Sequence, residues 1–458
     1  MPTLTEYDWG RPQLLDDLAQ TEYRERQDAI ARRWKYYRGE FAKPLKVRQN
    51  QPDDNITLNM ARQIVSQSVY LLFGVPPRFD LPTPEDVEVH PSEEALDRIW
   101  AENQAELFSH NLAVDGSIGG HCYVKLILDP LRSDGVRLVR LDPSVVSVFW
   151  RPDDRDHVLA YKVQWTEGER TYRQDIVEAD NGWQIIEMRK GRSDPSWTVT
   201  GEEPWPYPFA PIVDWQNLPN PSGYYGDSDL VNPGLNDVLN RVASNSNKII
   251  RLHAHPKTIG IGMKSGDVQE TAVDGFWAIP NPQANIFNLE MQSDLASSMA
   301  FQEFLQASFY SEHSAVDISS IKDRLGQLTN FGLHSLFWNA LNKLRVKRLL
   351  YGNGLAEVSR RALTLAGHLD VPEPTVSWGD ALPENRGEQV AAVANEMAAG
   401  IISHETAAED LGRDWEVEAQ RMDREATANA ERNPATALLE LYERQPGQPG
   451  PLQKRAGE

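Results

Sequence analysis

The stretch VLAYKVQWTEGERTYRQDIVEADNGWQIIEM, residues 158–188, decides the fold class. Runs rich in Val, Ile, Tyr and Trp are parted there by Glu167-Gly168 and Asn181-Gly182. Such dipeptides signal hairpins, because glycine reaches the positive φ that a tight turn between twisted strands demands. The same texture extends outward to 123–189, with Asp134-Gly135 marking a further turn. The runs 122–128, 136–141, 145–150, 158–165, 170–177 and 183–188 predict one antiparallel meander. With helical periodicity on both sides of it, the chain reads as α+β.

On the N-terminal side, Tyr23, Ile30, Trp34 and Tyr37 recur at helical spacing over 13–37, ending before Gly39. A second helix follows Asn59 through Ile64, Val65, Val69 and Leu72 to Gly74, where Val75-Pro76-Pro77 stops it. A third covers 92–117. On the C-terminal side, a Pro-rich passage over 203–222 leads into a helix over 233–254, ended by Pro256. A short β insert follows, made of 258–263, a turn at Lys264-Ser265-Gly266, and 276–279; a helix over 293–312 returns from it. After the polar, Ser-rich 314–330, a long amphipathic helix puts Leu333, Leu336, Phe337, Ala340, Leu341 and Leu344 on one face and Lys343, Arg345 and Lys347 on the other. A strand over 375–378 precedes Pro383, and helices over 388–398, 403–411 and 415–432 form a polar terminal unit. Residues after Pro434 read as a frayed tail.

The chain has 458 residues, with 46 Lys and Arg against 67 Asp and Glu, a net charge of −21. So acidic a balance disfavours an open basic groove for sequence-specific DNA reading. The single cysteine, Cys122, excludes an intrachain disulfide and a cysteine-cluster zinc site, in keeping with a reducing compartment. No signal-peptide pattern opens the sequence and no 18 consecutive residues are apolar, so no membrane partner is expected.

Candidate chemical motifs each have a plainer reading. Gly260, Gly262 and Gly266 lack the G-K-[ST] of a phosphate loop and read as a tight hairpin. His253 and His255 have no carboxylate within ten residues to complete a metal site. Asp153-Asp154-Arg155-Asp156-His157 reads as a solvated turn between strands. Ser319-Ser320-Ile321-Lys322 matches the acyl-serine S-x-x-K pattern without its partner motifs. Cys122 beside His121 reads as a small buried hydrophobe rather than a nucleophile. No catalytic set, metal site or cofactor is therefore expected. One charge pattern stands out: 238–266 holds no acid, while Arg241, Lys248, Arg251, Lys257 and Lys264 are basic. These residues either pair with carboxylates from elsewhere in the chain or meet phosphates or an acidic partner.

A series of motifs runs in order along the chain: Tyr36-Tyr37-Arg38-Gly39, Asn59 to Val65, and Tyr70-Leu71-Leu72-Phe73-Gly74-Val75-Pro76-Pro77. Then come Gly120-His121-Cys122-Tyr123-Val124-Lys125, Leu141-Asp142-Pro143, Asn217-Leu218-Pro219-Asn220-Pro221 and Tyr225-Gly226-Asp227-Ser228-Asp229-Leu230. Trp378 to Pro383, Gly400-Ile401-Ile402-Ser403-His404-Glu405-Thr406 and Leu411-Gly412 close it. In this order the chain resembles the portal proteins of tailed bacteriophages, in the branch with long non-contractile tails.

The resemblance implies a subunit with an antiparallel β-rich wing, a two-helix stem, a short β clip, a long wing helix and a helical crown. By position these are 1–232 and 331–383 for the wing, 233–254 and 291–313 for the stem, 255–290 for the clip and 384–432 for the crown. Residues 314–330 would be a tunnel loop facing DNA and 433–458 a disordered tail. In that loop the resemblance singles out Ser314, Asp317, Ser319, Ser320, Lys322, Asp323 and Arg324; the basic residues named above fall on stem and clip. The implied assembly is a homo-oligomer, usually a dodecameric ring at one vertex of the virion head, assembled in the host cytoplasm. Its implied partners are double-stranded DNA, passed without sequence preference, the terminase large subunit, which supplies ATP hydrolysis, a head-tail connector protein, scaffolding protein and the major capsid protein. Two other readings compete: a cytoplasmic hydrolase using His121 and Cys122, and a protein-binding module that forms no ring.

Overall fold

The computed structural model describes residues 12–432, apart from 48, 50–51, 83–89, 152, 193, 195, 255–256, 262–268, 271–276, 279–282, 284, 290–294, 321–328, 370, 383–385 and 414. The described residues fall in two compact units, one within Met1–Gly326 and His334–Ala381, the other within Gln327–Leu333 and Leu382–Glu458.

The first unit opens with α1 (Pro12–Arg38) and α2 (Met60–Phe73). Asn59 caps α2: its Oδ1 accepts the Arg62 N–H at 2.9 Å, satisfying a first-turn amide. Strand β1 (Arg78–Asp80) follows, then α3 (Glu93–Glu102) and α4 (Ala105–Gly119). These two helices replace the single one expected over 92–117. The break is at Asn103 and Gln104, with Gln104 at φ +54. Asn103 holds it from both sides, donating to Ile99 O and accepting from Leu138 N at 2.9 Å.

The β region contains β2 (His121–Leu128), β3 (Val136–Arg140), β4 (Val146–Trp150), β5 (Val158–Glu167), β6 (Arg170–Ala179), β7 (Gly182–Gly191), β8 (Thr198–Trp205) and β9 (Ile212–Gln216). All neighbouring pairs are antiparallel, but the expected single meander is two sheets, ordered β3-β2-β9 and β4-β5-β6-β7-β8. The division falls at Asp142-Pro143. Pro143 has no amide donor with which to continue a ladder, and the carbonyls of Pro143 and Ser144 accept from Arg26 and Gln27 of α1. The free edge of β2 is taken instead by β9, with Cys122 opposite Trp215. Residues 203–222, read from the sequence as a Pro-rich passage, contain the end of β8 and all of β9. Pro204 is tolerated because β8 is the edge of its sheet.

Helix α5 (Leu235–Ala254) leads to β10 (Lys257–Ile261), β11 (Gln269–Glu270), β12 (Trp277–Ala278) and β13 (Asn285–Leu289), and α6 (Leu295–Glu312) returns. The insert is nested: β10 pairs with β13 and β11 with β12. The turn expected at Lys264-Ser265-Gly266 lies outside the described residues.

The expected long helix is α7 (Asn330–Leu336) and α8 (Trp338–Leu365), separated at Phe337. Along α8, Ala340, Leu344, Lys347, Tyr351, Leu355, Val358 and Ala362 are buried at three- and four-residue spacing. Each fully buried large apolar side chain contributes roughly 1.5–3 kcal/mol. Lys347 sits in the middle of this stripe, contrary to its expected place on a solvated face. Strand β14 (Thr375–Ser377) pairs with β1.

The second unit contains α9 (Arg386–Ala398), α10 (His404–Asp410) and α11 (Trp415–Arg432). Ser403 caps α10 by accepting the Thr406 N–H at 3.1 Å, and the His404 and Trp415 rings stack 6.0 Å apart. Gly400 and Gly412, both at positive φ, end the segments before α10 and α11.

Candidate functional site

Helix α5 carries Asn236, Asn240, Ser244, Asn247 and Arg251 at spacings of four, four, three and four. Four residues of helix rise about 6 Å and two residues of extended chain about 6.6–6.8 Å, so such a stripe can match an extended strand pair by pair. It does so along residues 54–61. Asn236 Oδ1 accepts from Met60 N (2.9 Å) and Ala61 N (3.2 Å), and its Nδ2 donates to Leu58 O. Asn240 Oδ1 accepts from Leu58 N at 2.7 Å. Ser244 Oγ accepts from Ile56 N and donates to Asn240 O. Asn247 donates to Asp54 O, and Arg251 grips the Asp54 carboxylate at 2.6 and 2.7 Å. That guanidinium holds the Asp54 carboxyl below the usual carboxylate range.

Among the candidate basic residues, Arg251 is thus paired within the chain. Arg241 and Lys248 are exposed about a quarter turn round α5 from that ladder. Lys257 lies on β10, and Lys264 is outside the described residues.

The candidate loop is partly fixed. Ser314 stands at φ +51. Gln67 on α2 clamps the backbone of Val316 from both sides, Nε2 donating to its O and Oε1 accepting its N–H, each at 2.9 Å. Asp317 accepts from Gln306 Nε2 (2.8 Å) and from the N–H and hydroxyl of Ser319, and Ser320 Oγ donates to Asp317 O. The Ser319 and Ser320 hydroxyls are spent in this local turn, which argues against an acyl-serine role. Lys322, Asp323 and Arg324 lie outside the described residues.

Behind the loop is a buried charge cluster that sequence reasoning missed. Asp229 Oδ2 accepts from Lys347 Nζ at 2.7 Å, and Lys343 Nζ is 2.7 Å from Oδ1. Lys347 also donates to Ser68 Oγ and Ser117 Oγ. Burial disfavours the Asp229 carboxylate, yet the two ammonium groups outweigh it and hold the group well below its ordinary range. The sequence signal was present: Asp229 lies in the run Tyr225 to Leu230, and Lys343 and Lys347 are four apart on one helix.

His121 and Cys122 do not form a catalytic pair. As neighbours on β2 they point to opposite faces. His121 Nε2 is 2.7 Å from Asp214 Oδ2, and the Asp214 carboxylate also accepts from Tyr161 and Tyr224 at 2.6 Å each. Burial opposes the Asp214 charge, but these partners hold its carboxyl below the usual range. Cys122 is fully buried, with Sγ 3.2 Å from Tyr351 Oη, and burial pushes its thiol up to about 12. Asp153 binds Arg151 in the turn between β4 and β5. His253 carries no described side chain and His255 lies outside the described residues. Among the described residues, no three His, Cys, Asp or Glu side chains gather as a metal site. None of the described helices is long and apolar enough to cross a membrane.

The family model for "Phage portal protein, SPP1 Gp6-like" matches residues 17–432. No curated protein matches the chain. Among solved structures, the chain is similar to one from "Neck of native GTA particle computed with C12 symmetry", with 14% identity and a TM-score of 0.48 over 77% of this chain and 89% of that one. It is similar also to one from "Neck of empty GTA particle computed with C6 symmetry", with 15% identity and a TM-score of 0.49 over 77% and 90%. The family match takes in α2, both β sheets, the α5–α6 hairpin, α8 and the terminal helices, and on that span the chain belongs to the SPP1 Gp6-like family of phage portal proteins.

Proposed function

We propose that this portal protein closes into a ring, expected to be of twelve copies, at one vertex of a phage head, and that double-stranded DNA passes through the ring during packaging and ejection. The family match over residues 17–432 carries this reading, since it spans the parts such a ring requires. The charge supports it: twelve copies at −21 each carry about −250, and a channel lined by acidic or neutral groups repels phosphate, so DNA slides without adhering.

In this reading α5 and α6 are the stem and 255–290 a short clip that meets the terminase large subunit and later a head-tail connector protein. Residues 314–330 are the loop facing DNA, with the Gln67 clamp fixing its first residues and Lys322, Asp323 and Arg324 in its central part. Residues 384–432 are the crown. ATP hydrolysis comes from the terminase rather than from this structural subunit. Scaffolding and major capsid proteins meet the ring as it assembles in the host cytoplasm.

Electron microscopy of the purified protein tests the reading. Ring-shaped particles with a central hole wide enough for a duplex of about 20 Å are the expected images; solid or irregular particles at every salt and protein concentration would refute it.

A further inference from the structure

The α5–α6 hairpin exposes two different surfaces. On α6, Phe301 and Phe304 are 49% and 63% exposed, and their rings stack with each other, 6.4 Å apart. Helix α6 contains no lysine or arginine. On α5 the exposed stripe is Arg241, Asn245 and Lys248. At about 100° per residue, Arg241 lies roughly half a turn from the buried Leu239 and Ala243, so the basic stripe points away from that side of the helix. Large exposed aromatic residues on a water-facing helix mark a contact surface. The chemistry that fits two phenyl faces is an aliphatic stem ending in a cation, which covers the ring and meets its negative face.

We propose that Phe301 and Phe304 of one copy pack against the Arg241–Lys248 face of α5 on the next copy, making the hairpin a lateral, head-to-tail contact of the ring. This rests on the ring reading above and names the surfaces that would close it. Two unlike, complementary patches on one chain make a heterologous interface, the kind that generates rings when the rotation closes. Their places along the two helices correspond as well. Lys248 is six residues from the Ala254 end of α5 and Phe301 six residues from the Leu295 end of α6, about 9 Å along each helix. Those two ends lead into and out of the β10–β13 pair.

Two measurements on the full chain test this, each with wild type in parallel. Light scattering of the Phe301→Asp/Phe304→Asp variant is expected to show at least a tenfold loss of ring in favour of subunit mass; an unchanged ring would overturn the proposal and leave the stripe to a different protein. Rings co-assembled from equal amounts of Lys248→Cys and Phe301→Cys chains are expected to give covalent dimers on mild oxidation, with neither variant doing so alone. Equal dimer yield from either variant alone, or none from the mixture, would overturn it. The buried Cys122 thiol does not compete. A wild-type protein that forms no ring would instead reject the ring reading itself.

Discussion

Lys347, 1% exposed, places Nζ 2.7 Å from Oδ2 of Asp229, which has no exposed surface at all. The segment between β9 and α5 and the helix α8 are thus joined by a desolvated ion pair, with Lys343 2.7 Å from the other carboxylate oxygen. Removing the carboxylate strands the buried Lys347 charge, and such breaks cost about 3–5 kcal/mol. Asp229→Ala is therefore expected to lower unfolding stability in urea by that amount. The double variant Lys347→Met/Asp229→Asn should lose clearly less, because the charge it leaves without a carboxylate is that of the part-exposed Lys343 and not of the buried Lys347. Equal losses in the two variants would contradict this.

The same pair sets an acid limit. The Asp229 carboxyl is depressed in the folded protein, so its stabilisation is full above the unfolded value of about 4 and is lost as pH falls below it. Asp229→Asn removes that dependence. The variant's stability is expected to fall less steeply than wild type's between about pH 4 and pH 2, measured by urea titration at each pH.

The polar ladder of α5 is a second structural joint. Asn240→Ala leaves the Leu58 N–H without its 2.7 Å acceptor in a part-buried seam. The expected loss is about 1–3 kcal/mol. Proteolysis within 54–59 should quicken along with it, because the side chains of α5 are what hold that extended segment. Stability within error of wild type would show that the ladder carries no load.

Gln67 fixes the first part of the loop. Gln67→Ala removes both bonds to Val316, and hydrogen exchange at the Val316 amide is expected to accelerate by roughly tenfold or more, given about 1.4 kcal/mol per tenfold and a net bond worth of about 0.5–1.5 kcal/mol each. Exchange at Ser319, bonded within its own turn to Asp317, should change little.

Cys122 is expected to be inert in the folded protein. With its thiol pushed up to about 12 and no exposed surface, it should not react with a thiol reagent at pH 8 until the chain is unfolded in denaturant. A stoichiometric reaction of the native protein would revive a nucleophilic role.

Much of the fold was legible because its signals are local. Asn59 and Val75-Pro76-Pro77 bracket α2, and the glycines at 135, 168 and 182 all take positive φ in hairpin turns. What escaped depends on partners distant in sequence. Strand β9 is defined by pairing with β2, some ninety residues earlier, and sits in the Pro-rich passage 203–222. Lys347 looked like a surface charge because its counter-charge, Asp229, lies 118 residues away. The α5 stripe of Asn and Ser carries no local sign of its partner. Its role emerges only when the extended segment 54–61 lies along it. At the candidate site, pairing of the basic residues within the chain was one of two open readings, and the partner of Arg251, like the Gln67 clamp on the loop, lies too far along the chain to be read from it.

The ring itself is tested most directly by the mass of the purified particle. Light scattering in moderate salt is expected to give a single species near 620 kDa, about twelve times the 51.7 kDa subunit. A persistent 51.7 kDa monomer or a dimer, unchanged across salt and protein concentration, would contradict it.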